Sequence, residues 1–184
     1  MIGAITAGLF SAGAPPVPAT SYESIATTTV GIGGTTTVTF SSIPSTFKHL
    51  QIRFIAMNAV SAGYTKINFN SDTAANYAWH QIYANGSSVT SAGNGSKSFV
   101  IADESIPGVA SSPAVAIIDI FDYQNTSKNK TARVFSGRDL NGSGNSVFQS
   151  GVWFNTNAIT QIDLTFTTTT VSQYSSFALY GIKG

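Results

Sequence analysis

Cysteine is absent from this sequence and charge is scarce. Without thiols there is no disulfide scaffold, no thiolate nucleophile and no Cys-type zinc site. Asp, Glu, Lys and Arg make up 9% of the 184 residues, against about a quarter in an ordinary soluble domain. The surface must therefore be carried by hydroxyls and amides, a composition associated with proteins of assemblies or of the extracellular space. The formal net charge is +1 and the basic residues form no cluster. That leaves no electrostatic footprint for nucleic acid or an anionic membrane. The most apolar terminal run is short and broken by glycine, too little to span a bilayer. No segment has the 3.6-residue period of an amphipathic helix, and no internal repeat is present.

Serine and threonine supply about a quarter of the chain, which with the many β-branched residues favours strands. The length suits one domain with a real core. Its spine is Pro113 to Tyr123, where Val115, Ile117, Asp119 and Phe121 alternate with Ala114, Ala116, Ile118, Ile120 and Asp122. Both sets are mainly apolar, so the reading is a central strand covered on both faces. Pro113 fits only at its start, because proline cannot donate to an interior ladder.

Other strands read at Ile25–Val30 and Thr35–Phe40, a hairpin about Gly31–Gly34, and at His49–Ala56 and Tyr64–Asn70. Tyr77–Tyr83 follows, closed by an Asn85-Gly86 turn. Gly93–Ser96 reads as a loop before Ser98–Ala102, and Asp103–Ser112 as a loop with room for a helical turn. Thr131–Gly137, a turn over Asn141–Asn145, Val147–Phe154, Thr160–Thr167 and Tyr174–Ile182 complete about ten strands. The predicted class is all-β, a jelly-roll-like antiparallel sandwich over residues 23–184. Residues 1–22 read as an arm: an apolar stretch bearing Ile2, Ile5, Leu9 and Phe10, then the stiff connector Pro15-Pro16-Val17-Pro18. The arm is expected to dock on a neighbouring subunit; the alternative is that it packs on its own domain.

Catalytic constellations are weak. A Ser/His/Asp triad could draw on His80 with Asp119 or Asp122, but no nucleophile-elbow motif supports it. Asp119 and Asp122 point to opposite faces of one strand, so they cannot flank a glycosidic bond. Asp119 is expected to pair with Arg133 or Arg138, and Asp122 to cap a turn. Asn68, Asn70, Asp72 and Asn76 form an oxygen-rich loop with a single carboxylate, too few for useful calcium affinity. Turn capping is the better account. The one small-ligand idea is a sugar-stacking platform of Trp79, Tyr83 and Trp153, joined by Tyr123. The alternative is that these rings fill the core.

Several segments have a familiar combination of motifs. They are Ser42-Ile-Pro-Ser-Thr-Phe-Lys-His-Leu-Gln-Ile-Arg53, Phe69-Asn-Ser-Asp-Thr-Ala-Ala-Asn-Tyr-Ala-Trp-His80 and Ile118-Asp-Ile-Phe-Asp-Tyr-Gln-Asn-Thr-Ser-Lys-Asn-Lys-Thr131. Ser150-Gly-Val-Trp153, Ala158-Ile-Thr160 and Gln173-Tyr-Ser-Ser-Phe-Ala-Leu-Tyr-Gly-Ile-Lys-Gly184 complete the set. Together they resemble small β-structured virion or tail-associated proteins of tailed bacteriophages. The resemblance implies a non-enzymatic virion component, a capsid decoration or a tail or fibre accessory, with no catalytic residues, metal or cofactor. Its expected partners are other copies of itself, as a trimer, and capsid or tail proteins. A receptor- or glycan-binding module is the alternative, with a host surface glycan as ligand.

Overall fold

The β-branched run Ala114–Phe121 is a strand, and it lies inside a sheet with a neighbour on each side. The computed structural model describes residues 21–57, 63–106, 112–167 and 170–184. Among them twelve strands follow in order: β1 (Tyr22–Thr29), β2 (Thr37–Phe40), β3 (His49–Ala56), β4 (Gly63–Phe69), β5 (Tyr77–Ala84), β6 (Val89–Lys97), β7 (Val100–Ile106), β8 (Ala114–Phe121), β9 (Lys130–Asp139), β10 (Gly144–Trp153), β11 (Ile162–Phe166) and β12 (Ser176–Ile182). No helix occurs among the described residues. Residues 1–20, and with them Ile2, Ile5, Leu9 and Phe10, lie outside the description.

Eight strands form one antiparallel sheet in the order β1-β12-β3-β8-β9-β10-β5-β6, and four form a second, β2-β11-β4-β7. One core lies between them. Leu50, Ile52, Ile118, Ile120 and Phe177 point into it from the large sheet, and Val38, Phe40, Ile67, Phe69 and Leu164 from the small one. Rings meet across the gap: Phe166 against Phe177 at 5.5 Å and Phe69 against Trp153 at 5.7 Å between centroids. The all-β sandwich read from the sequence is the fold that forms.

Turn chemistry was read correctly at two hairpins. Gly86 takes a φ of +87° between β5 and β6, and Asn85 Oδ1 accepts from the backbone N–H of Ser87 and Ser88. Asn141 and Gly142 adopt φ of +55° and +102° between β9 and β10.

Four other expectations are corrected. The segments either side of Gly31–Gly34 do not pair with each other. β1 pairs with β12 and β2 with β11, so this turn carries the chain from one sheet to the other. Glycine signals a reversal but cannot say which strand will offer the longer ladder, and β12 offers β1 seven paired residues. Gly93 to Ser96 is strand, not loop, inside β6. Asp103–Ile106 continue β7, and residues 107–111 of the expected loop lie outside the description.

The fourth correction matters most. β8 is covered on one face only among the described residues. Ala114, Ala116, Ile118 and Ile120 are buried against the small sheet, while Val115, Ile117 and Phe121 are exposed on the opposite side. The four-stranded sheet can lie on one side of the large sheet alone.

Candidate interaction face

Register aligns the outward residues of the large sheet into rows that run across the strands. One row is Ile117 on β8, Phe135 on β9, Phe148 on β10 and Ile82 on β5, each directly opposite the next. Non-adjacent alternation along four separate strands thus produces a continuous apolar stripe. These four side chains are between 39% and 58% exposed. The next row, Ile55, Val115, Gly137, Ser146 and Ala84, carries no ionisable group, whereas the stripe's own row ends on β3 at Arg53, opposite Ile117. A monomer rarely leaves a contiguous apolar patch of this kind without a use for it.

Two grooves flank the Phe135–Phe148 ridge. One of about 580 Å³ is lined by Val115, Ile117, Phe135, Gly137 and Ser146, among others. Gly137 helps to open it, since a Cβ there would stand 2.7 Å from the Asn145 carbonyl oxygen. The second, of about 630 Å³, is lined by His80, Ile82, Ser91, Gly93, Phe148 and Ser150. There the His80 ring lies over Gly93, where a Cβ would come within 2.4 Å of the ring.

The row on the other side of the stripe is polar: Gln51, Asp119, Arg133, Ser150 and His80. Arg133 stands opposite Asp119 in register, but the expected ion pair is absent. Gln51 Nε2 donates to Asp119 Oδ1 at 2.7 Å, and Arg53 Nε donates to Gln51 Oε1 at 2.7 Å. The Arg53 guanidinium also lies over the rings of Tyr22 and Tyr180, at 5.9 and 5.7 Å from their centroids. This cluster covers Gln51 and fixes the β1 end of the face. Asp119 has found a neutral partner through a second strand, which no spacing in the sequence announces.

The residues proposed for chemistry are employed elsewhere. Ser150 and His80 are brought side by side, but Asp119 is three strands from His80, about 14 Å at the usual strand spacing. No triad forms. Trp153 is 1% exposed, stacks with Tyr77 at 6.3 Å and donates from Nε1 to Asp72 Oδ2 at 2.7 Å. Trp79 is buried as well, and Tyr83 is half-buried, with its hydroxyl accepting from Asn145 Nδ2 at 3.2 Å. Tyr123 is fully buried, its hydroxyl donating to the Pro44 carbonyl. The tryptophans and Tyr123 present no ring face to solvent, so the stacking platform is not assembled. These aromatics are core, the alternative the sequence had left open.

The oxygen-rich loop caps itself. Asp72 Oδ1 accepts from Ala74 N–H, and Asp72 Oδ2 accepts from Asn76 as well as Trp153. Burial acts to raise the Asp72 carboxyl, but these donors outweigh it and hold the group below its ordinary value. Asn70 Oδ1 accepts from the backbone N–H of Thr160 and Gln161, tying this loop to the start of β11. Tyr77 donates to the Asp72 carbonyl and accepts from Phe69 N–H, and burial pushes its hydroxyl up to about 12. At the end of β8, Asp122 adopts a φ of +47° and pairs with Lys48 at 3.1 Å and with Lys128. Buried Lys130 spends its Nζ on three carbonyls, those of Asn125, Lys128 and Thr156. Desolvation lowers its pKa. Among the described residues no three of His, Asp and Glu gather as metal ligands.

No protein-family model, no curated protein and no solved structure matches this chain. The functional argument therefore rests on the face itself. The four residues of its stripe were legible as strand residues; what was missing was any signal that this side of the sheet has no cover among the described residues.

Proposed function

We propose that this protein is a non-enzymatic structural subunit of a virion of the tailed-phage kind. In this reading it assembles with further copies of itself, as a trimer, and joins the capsid or tail through residues 1–22. The single observation that carries the assembly part is the exposed in-register stripe Ile117–Phe135–Phe148–Ile82. The motif resemblance supplies the virion. The low charge supports both, since a surface of hydroxyls and amides can be buried without stranding ions. Fully burying a large apolar side chain is worth about 1.5–3 kcal/mol, and these four are already half-buried. One stripe is a weak contact, so several joined in a closed oligomer give a much firmer one.

The glycan-binding alternative has less support, because Trp79 and Trp153 are committed to the core. The test is the solution mass, by light scattering, of the full chain, of Phe135→Ser/Phe148→Ser and of protein lacking residues 1–22. The expected result is an oligomer for the full chain and a smaller species for the double variant with its fold intact. A monomeric full chain, or an unchanged mass in the double variant, overturns the reading. An oligomer that survives the deletion leaves residues 1–22 free for capsid or tail, whereas folded monomers make them the oligomerisation device.

A further inference from the structure

We propose that the occupant of the outer face is the N-terminal segment, residues 2–10, of another copy of this chain. The inference rests on the assembly reading above, names its contact, and assigns residues 2–10 to that contact in place of the capsid or tail.

Three observations converge on this occupant. The first is chemistry. Residues 1–20 contain no Asp, Glu, Lys, Arg or His, and their large side chains are Met1, Ile2, Ile5, Leu9 and Phe10. From Ile117 to Ile82 the stripe, like the Val115–Gly137–Ser146 row, is free of ionisable groups; Arg53, Arg138 and Asp139 stand at the margin of the first groove and His80 at that of the second. An uncharged apolar segment can dry the two rows without burying a charge of its own.

The second is spacing. The two grooves straddle the Phe135–Phe148 ridge with centres two to three strands apart, about 10–14 Å. Ile5 and Leu9 are four residues apart, about 13 Å in an extended chain. Four residues apart, Ile5 and Leu9 share one side of such a chain, so that Leu9 fits one groove while Ile5 fits the other. The small residues between and beside them, Gly3, Ala4, Ala7 and Gly8, allow close passage over the ridge.

The third is where the segment attaches. The described chain begins at Ser21, at one end of the edge strand β1. Eleven residues separate Phe10 from Tyr22, a span of about 35 Å when extended, and β9 lies four strands from β1, about 19 Å. Length alone permits a copy to cover itself. Pro15, Pro16 and Pro18 favour a neighbour, because proline fixes φ and resists the reversal that a return onto the same face would need.

The natural absence of cysteine makes the test clean. Full-length Ser11→Cys, carrying a mass tag, is mixed with untagged Ser146→Cys and oxidised under mild conditions. Ser11 adjoins Phe10, and exposed Ser146 lines the first groove, so neither change removes an anchor. Thr39→Cys, exposed on the small sheet, is the control acceptor. The expected result is a mixed-mass disulfide at Ser146→Cys about tenfold above the control.

Equal yield at both acceptors overturns the inference. So does a Ser11→Cys/Ser146→Cys chain that closes only an internal bridge, which would place the segment on its own face. A Ser146→Cys homodimer forming in preference to the mixed product would mean face-to-face packing of two copies and also overturns it. Light scattering on the same samples separates the two levels. An oligomer without the selective cross-link sinks this contact and leaves the assembly reading standing; a monomer sinks both.

Discussion

Ile117 and Ile118 are neighbours in one strand and face two different worlds. Ile118 is packed between the sheets, while Ile117 stands on the outer face beside Phe135. Both faces of β8 are mainly apolar, yet among the described residues only one is closed by another element. Alternation assigns a residue to a side; it does not say whether that side has a cover. The inner face answers to folding and, on our proposal, the outer to assembly; substitutions on the same strand separate them.

The largest contrast is on β10. Trp153→Ala removes a buried ring that stacks on Tyr77 and holds Asp72, and it should cost about 3–5 kcal/mol in urea unfolding. Phe148→Ala, on the same strand, should cost under about 1 kcal/mol in dilute solution while lowering the oligomer's stability to dilution. Equal losses of folding stability would mean the outer face is closed after all. A sharper comparison uses one residue type: Ile118→Ala should cost about 2–4 kcal/mol and Ile117→Ala a small fraction of that.

The smallest effect lies where β8 ends. Lys128 first, and then Lys48, hydrogen-bond Asp122 and pull its carboxyl down to about 2. An unfolded aspartate titrates near 3.9, so the unfolded chain binds this proton first as pH falls. The contribution is complete above about pH 4 and is lost as pH drops toward 2. Asp122→Asn should flatten that part of the stability-against-pH curve. An unaltered curve would show that the two lysines do not hold the carboxylate in solution.

Much of the fold could be read directly, and the misses share a cause. Asn85-Gly86 and Asn141-Gly142 were legible because positive φ is a local demand. The fate of Gly31–Gly34 was not, because pairing of β1 with β12 is decided more than a hundred residues away. β6 was missed because Val89 to Lys97 is small, polar and exposed on both faces, leaving no alternation to detect. For the site, Phe135 and Phe148 were placed on strands, but their meeting across β9 and β10 is a matter of register. Trp79 and Trp153 were weighed as ligand or core, and the partner that fixes Trp153 is an aspartate 81 residues away.

The place of β12 has a kinetic side. Residues 176–182 fill the slot between β1 and β3, and β12 is the strand that ties β1 to the sheet. As the chain is synthesised, β1 must therefore wait for β12, made about 150 residues later, before it has a ladder to join. Closing a loop of about 150 residues is slow compared with forming the β5–β6 or β9–β10 hairpins. Until that loop closes, β1 has no ladder in the sheet. The order of synthesis thus leaves β1 unpaired until the large sheet is nearly complete.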